Sequence, residues 1–185
     1  MTQTLNFVAI SGSLRKASTN TGLLRYAQSH LPEGVAMEIL DIADIPFFNS
    51  DVAAVEMPAA VRRMVEKIRQ ADALVLACPE YNYTLAPALK NALDWASREP
   101  DNSALNEKPV AIMGAGGGMG SSRAQYHLRQ MCVFLNLHPL NKPEVFANAF
   151  AGTFNAEGNL IDEKIGENIQ KQLQALKAWT LRLAQ

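Results

Sequence analysis

Short, almost wholly apolar runs alternate along this chain with longer amphipathic segments. The runs have the length of strands and lie at residues 5–10, 35–42, 73–78 and 109–113, with a fifth, shorter one expected within 138–146. Strands that are apolar without alternation are buried on both faces, as in a parallel sheet covered by helices on either side. The pattern therefore predicts an α/β protein with a parallel sheet.

The segments between these runs carry apolar residues at the three- and four-residue spacing of a buried helix face. In one of them, Val61, Met64, Val65 and Ile68 follow Pro58, a residue that suits the first turn of a helix. Helices are expected at 19–31, 58–71, 87–97, 121–137 and 162–184. Because crossovers between parallel strands are right-handed, we expect a three-layer sandwich formed by one domain, residues 1–185, with five strands in the order 2-1-3-4-5.

Composition and charge narrow the classes of function. With 17 basic and 18 acidic residues, the chain has a net charge of -1, which disfavours nucleic-acid binding and the acidic docking face of an electron carrier. Cys78 and Cys132 are expected to be buried thiols, and the scattered histidines predict no metal site. Since no signal peptide and no run near ~20 apolar residues is present, we expect a cytoplasmic protein without a membrane span.

The loop after the first strand, residues 12–20, has the composition of a phosphate site. It places hydroxyls, an amide and two cations at a helix N-terminus, where free N–H groups and the helix dipole attract anions. The candidate ligands are Ser13, Arg15, Ser18 and Asn20. The alternative is a polar loop in which Ser18 or Thr19 is an ordinary N-cap. The loop matches neither the P-loop nor the dinucleotide fingerprint.

The loop after the third strand, from Pro79 to Pro87, carries Tyr81, Asn82 and Tyr83 between its two prolines. Tyrosines held at an exposed edge suit a flat aromatic ligand, with backbone groups around its rim. The alternative is a rigid loop whose tyrosines pack on the next helix.

The loop after the fourth strand, from Gly114 to Gly120, contains five glycines but does not match a nucleotide fingerprint, because Met119 stands where the third glycine is required. We interpret it as a place where a planar ring approaches the main chain closely. A merely flexible loop is the alternative. Together the three loops favour a ligand with a phosphate at one end and a flat ring at the other, a description that flavin mononucleotide (FMN) fits.

The same motifs resemble those of the NAD(P)H-dependent FMN reductase family, and within it the chromate/quinone reductase branch. The matching segments are Gly12-Ser13-Leu14-Arg15 with Ser18 and Asn20, Pro79-Glu80-Tyr81-Asn82-Tyr83, and Leu89-Lys90-Asn91-Ala92-Leu93-Asp94-Trp95. The likeness runs over nearly the whole chain. The segment from Gly114 to Gly120 departs from the quinone reductase branch by being richer in glycine.

The resemblance implies a flavodoxin-like fold, bound FMN, and NADPH or NADH as co-substrate. It assigns the phosphate to Ser13, Arg15, Ser18, Thr19 and Asn20, and the ribityl chain and ring to Pro79, Glu80, Tyr81, Asn82, Tyr83, Gly114, Gly116 and Gly117. The implied reaction is ping-pong hydride transfer from NAD(P)H through FMN to quinones, azo compounds, flavins or metal oxyanions such as chromate. Such chemistry is carried by the cofactor and needs no catalytic side chain.

Two other flavin-based functions stay open at this point. The chain could supply free reduced FMN to a partner monooxygenase, or it could be a flavodoxin-type electron carrier, although the charge of -1 disfavours the carrier. A hydrolase on the same fold is disfavoured because no Gly-x-Ser-x-Gly elbow is present.

A second copy of the chain is the expected protein partner. Asn91 and Trp95 fall outside the apolar stripe of the helix 87–97. On the helix 121–137, the residues outside the stripe are Arg123, Tyr126 and His127. A large aromatic side chain on an outer helix face favours an interface. The family resemblance adds that one chain of a homodimer or homotetramer completes the active site of another.

Overall fold

Six strands form one parallel sheet in a computed structural model that describes residues 4–99 and 102–185. Its strands are β1 (Leu5–Ser11), β2 (Val35–Leu40), β3 (Ala73–Ala77), β6 (Pro109–Gly116), β7 (His138–Pro139) and β8 (Val145–Asn148). A separate antiparallel hairpin joins β4 (Glu80–Tyr81) to β5 (Thr84–Leu85). The helices are α1 (Thr19–Ser29), α2 (Ser50–Val55), α3 (Ala59–Gln70), α4 (Pro87–Ala96), α5 (Ser122–Leu135) and α6 (Glu163–Leu183).

The predicted strand order is confirmed. The sheet runs β2-β1-β3-β6, and every pairing in it is parallel. The fifth position holds two short strands instead of one, because β7 pairs with residues 109–110 of β6 and β8 with residues 113–116. Parallel strands aligned in this way bring the loops after β1, β3 and β6 to one edge of the sheet.

Helices cover both faces of the sheet, as the apolar strands predicted. Phe7 and Ala9 of β1 point into a core shared with α1 and α6, whereas Val8 and Ile10 point into a core shared with α3, α4 and α5. The predicted inward face of α3 is buried throughout. None of the helices within the described residues has both the length and the hydropathy to cross a membrane.

Two elements were not predicted, α2 and the hairpin β4–β5. Helix α2 is six residues long and buries none of them, so it carries no apolar period to detect. It begins because the Asn49 side chain accepts a hydrogen bond of 2.8 Å from the Asp51 N–H. The hairpin has only two residues in each strand, too few to show an alternating pattern.

The expected outward position of Trp95 is wrong. Its side chain is fully buried, and its Nε1 donates to the Pro46 carbonyl over 2.8 Å. Asn91 binds the same loop, donating to the Pro46 carbonyl and accepting from the Phe48 N–H over 2.7 Å. The loop between β2 and α2 therefore covers the face of α4 that the sequence left open.

Candidate active site

Three loops meet at the carboxyl edge of the sheet, and direct contacts join them. The Asn20 side chain at the start of α1 exchanges two hydrogen bonds of 2.9 Å with the backbone of Ala115 in β6. A Cβ placed on Gly12 would lie 2.8 Å from the Pro79 ring, so the first loop packs directly on the second. The sequence-predicted loops thus form one continuous site.

The first loop presents a row of unused backbone donors. Among the described residues, no acceptor receives the N–H groups of residues 14–18, although Ser13 N–H donates to Ser11 Oγ over 3.3 Å. Ser18 is the N-cap of α1, and its Oγ accepts from the Thr21 N–H over 3.1 Å. Consecutive free amides before a helix N-terminus form an anion site without help from side chains.

The candidate phosphate ligands differ in their exposure and in whether their side chains are already hydrogen-bonded. Arg15 is exposed and its guanidinium donates to the Ala17 carbonyl over 3.2 Å, which holds the side chain beside the loop. Ser13, Ser18 and Asn20 are buried, and Thr19 is half-buried. The Ser18 hydroxyl can still donate while it caps the helix. The Asn20 amide, by contrast, is already engaged with Ala115 and fixes the loop to β6.

The second loop is the hairpin β4–β5, whose turn residues Asn82 and Tyr83 both have a positive φ, 50° and 66°. Tyr81 and Tyr83 are exposed at its tip, while Pro79 is buried beneath it. The Glu80 carboxylate accepts a 2.6 Å hydrogen bond from Arg123 Nε on α5. Arg123 is a residue that the sequence analysis placed outside the apolar stripe of its helix without giving it a contact.

The third loop is shorter than predicted, because β6 continues through Gly116. A Cβ on Gly114 would lie 2.1 Å from Ser121 Oγ, and one on Gly116 would lie 2.8 Å from Ser121 N. These two glycines therefore allow the strand to pack on the start of α5. Gly117 and Gly118 have no neighbour within 4 Å of an added Cβ, so the open stretch of main chain lies there.

An open, largely apolar pocket of about 560 Å³ adjoins the first two loops. Its lining combines Leu14 and Arg15 with Ile45 and Phe47 from the loop after β2, and with Tyr81 from the hairpin. Phe47 is 82% exposed, which is a large apolar area to leave in water. The sequence signal for this wall was the apolar run Ile45-Pro46-Phe47-Phe48, to which no role had been assigned.

Cys78 lies under this site, where burial disfavours the reactive thiolate. Its side chain is fully buried. Burial, and secondarily the Glu80 charge, raises the pKa of the thiol to about 12, so the thiolate is absent near neutral pH.

The residues of the three loops fit FMN. The free amides of the first loop suit its phosphate, and the hairpin tip and the open glycine backbone suit a planar ring.

The fold defines a flavodoxin-like α/β protein, with three loops gathered at the carboxyl edge of its parallel sheet. Residues 5–152 match the model of the NADPH-dependent FMN reductase family, and the chain belongs to this family. It is therefore an oxidoreductase that uses FMN and NAD(P)H, and the family expected from the sequence is confirmed.

Several known proteins are similar to this chain over almost their whole length. The NAD(P)H-dependent FMN reductase of Pseudomonas aeruginosa is 51% identical, with 99% of each chain covered. The NADPH:quinone oxidoreductase of Arabidopsis thaliana is 48% identical over 97% of this chain and 93% of its own, and the quinone reductase of Escherichia coli K12 is 40% identical over 99% of each. Among solved structures, the NAD(P)H:(acceptor) oxidoreductase FerB of Paracoccus denitrificans superposes with a TM-score of 0.86 at 30% identity, covering 96% of this chain and 98% of its own.

Proposed function

We propose that this protein reduces quinones with electrons from NAD(P)H, and that it accepts azo compounds, flavins and metal oxyanions such as chromate as further acceptors. Bound FMN supplies the chemistry by taking up a hydride and passing it on. Relatives from plants and from Escherichia coli that are named quinone oxidoreductase or quinone reductase support the choice of acceptor. The observation that carries the proposal is the row of free amides beside an exposed, tyrosine-bearing hairpin.

The phosphate of FMN is held in this proposal by the backbone N–H groups of residues 14–18. Ser13, Ser18 and Thr19 add hydroxyl donors, and Arg15 adds a charge-assisted hydrogen bond. Asn20 contributes by holding the loop against Ala115. Nothing in this arrangement requires a group that changes its protonation state.

The ribityl chain and ring lie along Pro79, Glu80, Tyr81, Asn82 and Tyr83 on one side and along the strand end with Gly114, Gly116 and Gly117 on the other. Of these glycines, Gly117 has open space beside it and offers bare main chain to the ring. Gly114 and Gly116 allow the end of β6 to pack closely on the start of α5. Both walls come from a single sheet edge, so we propose that residues 1–185 act as one domain.

The pocket of about 560 Å³ receives the nicotinamide and then the acceptor in this scheme. Leu14, Ile45, Phe47 and Tyr81 offer apolar surface that suits a quinone ring. Because one open side serves both substrates, the oxidised product NAD(P)+ must leave before the acceptor binds, which is a ping-pong order.

A homodimer or homotetramer in the cytoplasm completes the proposal. Trp95 no longer supports an interface, but α5 exposes Tyr126, Val133 and Phe134 on its outer side, by 56%, 83% and 80%. Large apolar side chains grouped on one helix favour contact with a second copy.

The experiment is to purify the protein, record its absorption spectrum, and follow NADH and NADPH oxidation with and without a soluble benzoquinone. We expect near-stoichiometric FMN that survives gel filtration, and oxidation that depends on the quinone. FMN lost on the column, with turnover restored by added FMN, would instead indicate a reductase that supplies free reduced flavin. Flavin that binds without NAD(P)H oxidation would indicate an electron carrier. Equal affinity for FMN and FAD would contradict a loop built around a terminal phosphate.

A further inference from the structure

The hairpin β4–β5, which forms one wall of the proposed ring site, cannot hold its own conformation. Each strand contributes two residues, and such a hairpin is at best marginally stable in isolation. Its turn also places two residues with side chains in the left-handed region, Asn82 at φ 50° and Tyr83 at φ 66°. This conformation is unfavourable for a bulky residue such as Tyr83. Something outside the hairpin must therefore stabilise it.

Helix α5 supplies that support through Arg123. The guanidinium donates from Nε to Glu80 Oε1 over 2.6 Å, and its Nη2 lies 2.5 Å from the same carboxylate oxygen. The guanidinium carbon also lies 3.7 Å from the centre of the Tyr83 ring, the distance of a close cation–π stack. One side chain thus binds both the first residue of β4 and the second residue of the turn.

The Glu80 carboxylate is nearly buried, so the loss of its partner Arg123 would leave a charge with little access to water. The Glu80 side chain is 7% exposed, and besides Arg123 it faces the Ala124 N–H at the N-terminus of α5, 3.4 Å away. A second bond lies one turn further along the helix, where the His127 ring and Thr84 Oγ1 are 2.9 Å apart. Arg123 therefore lies at the centre of a set of contacts that fastens the hairpin to α5.

Helix α5 also contacts the opposite wall of the proposed ring site, which is formed by the glycine-rich end of β6. Ser121 and Ser122, at the start of α5, directly follow the open glycine segment, and Ser121 packs on Gly114 and Gly116. A displacement of α5 relative to the hairpin would consequently change the gap between the two walls. This gap is where the proposed function places the ring of FMN.

We infer that Arg123 is a positioning residue for the flavin ring: through Glu80 and Tyr83 it sets the hairpin wall without taking part in phosphate binding. The inference rests on the proposed function. It differs from the sequence expectation for Glu80, whose carboxylate is engaged with Arg123 and α5 in this structure. Glu80 thereby contributes to the site as the anchor of the hairpin.

The test compares FMN with riboflavin, which has the same ring and no phosphate. Apoprotein carrying Arg123→Ala is titrated with each flavin, and the dissociation constants are measured from quenching of flavin fluorescence. We expect both affinities to fall by the same factor, roughly tenfold or more, because the variant leaves a nearly buried carboxylate unpaired. The ratio of the two constants stays at its wild-type value, and the visible spectrum of the bound flavin shifts as the ring environment loosens.

Two further variants keep the test decisive. Arg123→Lys retains the charge but lacks the planar fork and the stacking surface, so it should recover only part of the affinity; it also serves if Arg123→Ala does not fold. Arg62→Ala, which removes an exposed arginine of α3 paired with the exposed Glu56, is the matched control and should bind both flavins as the wild type does.

Wild-type affinities and an unchanged flavin spectrum in Arg123→Ala would overturn the inference. So would a loss confined to FMN, which would place Arg123 on the phosphate instead. Failure of the unaltered protein to bind FMN or to oxidise NAD(P)H is a different result, because it would contradict the proposed function itself.

Discussion

We call residues 12–20, which the proposed function places around the FMN phosphate, the phosphate loop. Single polar residues in this loop differ in whether their side chains are free to bind a ligand. Arg15 is exposed and makes one hydrogen bond within the loop, to the Ala17 carbonyl. Asn20 is buried, and its side-chain amide is already hydrogen-bonded to the Ala115 backbone across the sheet edge. Both residues belong to the same sequence motif, yet only the first has its charge available to a ligand. Removing the two side chains should therefore have different consequences, Asn20 acting mainly through the structure of the loop.

Arg15→Ala is expected to weaken FMN binding by about 1.5–3 kcal/mol, the contribution of a hydrogen bond to a charged group. Riboflavin affinity should not change, because it has no phosphate for Arg15 to contact. The thermal unfolding midpoint of the apoprotein should stay close to the wild-type value, since an exposed loop residue carries little core energy. Fluorescence titration and calorimetry measure these quantities. Full FMN affinity in the variant would show that Arg15 does not bind the phosphate.

The two cysteines are expected to be inert in the folded protein. Burial raises the pKa of the Cys78 thiol to about 12 and that of Cys132 to about 11, so both thiols are protonated at pH 8. Because the thiolate is the reactive form, iodoacetamide should label neither residue in native protein at pH 8, and both in denaturant. Mass spectrometry of the treated protein gives the result. Rapid labelling of Cys78 in the native state would mean that its strand end opens to solvent.

At the scale of elements, the phosphate loop depends on a turn from a distant part of the chain. The segment 153–161 closes on itself through a bridge between Phe154 and Leu160, and Arg25 of α1 binds it through Asn159 over 2.8 Å. Gly158 lies so close to the loop that an added Cβ would meet the Ala17 carbonyl oxygen at 2.7 Å. This turn lies beyond residues 5–152, the part that matches the family model. It nevertheless braces the loop that the proposed function assigns to the FMN phosphate.

Gly158→Ala should consequently push on the phosphate loop and lower FMN affinity several-fold, while riboflavin affinity changes little. Gly152→Ala is the matched control, because Gly152 has a similar positive φ, 71° against 76°, but nothing within 4 Å of an added Cβ. The left-handed backbone should cost each variant about 1 kcal/mol of stability, and Gly158→Ala should lose more because its Cβ also meets the Ala17 backbone. Only the first should change the ratio of FMN to riboflavin affinity in a titration. An equal ratio in the two variants would refute the bracing role.

At the scale of the whole molecule, α5 has two tasks at different points along its length. Near its first turn Arg123 anchors the hairpin, and near its last turn its outer side exposes Val133 and Phe134. If the outer side is the interface between copies, assembly would steady the same helix that sets the ring wall. Assembly and flavin affinity would then be linked through α5.

Phe134→Glu is expected to reduce the assembly to a chain of 20.2 kDa in light scattering. The side chain is 80% exposed, so the charge costs little in the monomer but is unfavourable within an apolar interface. Leu181→Glu, on the exposed side of α6, should leave the mass unchanged and is the control. A wild-type protein that is itself monomeric and fully active would contradict both the interface and a site shared between chains.

The sequence by itself determined the layers of this protein and the edge of the sheet at which its three unusual loops meet. Apolar runs without alternation required a sheet buried on both faces, and helical spacing of apolar residues required the covering helices. These signals are local, because burial of a strand or of a helix face is recorded in residues a few positions apart. The order of the strands then placed the three unusual loops side by side.

The tertiary structure alone decided which polar and aromatic side chains are free. Glu80 binds Arg123, 43 residues away, and Asn20 binds Ala115, 95 residues away. Trp95 is covered by a loop that contacts it through Pro46 and Phe48. No local pattern records such contacts, because each depends on how two separate elements pack and on which carbonyl or carboxylate then lies within hydrogen-bond distance. For this reason the motifs predicted which loops come together, while the packing of α1, α4 and α5 determined which of their side chains are already engaged within the protein.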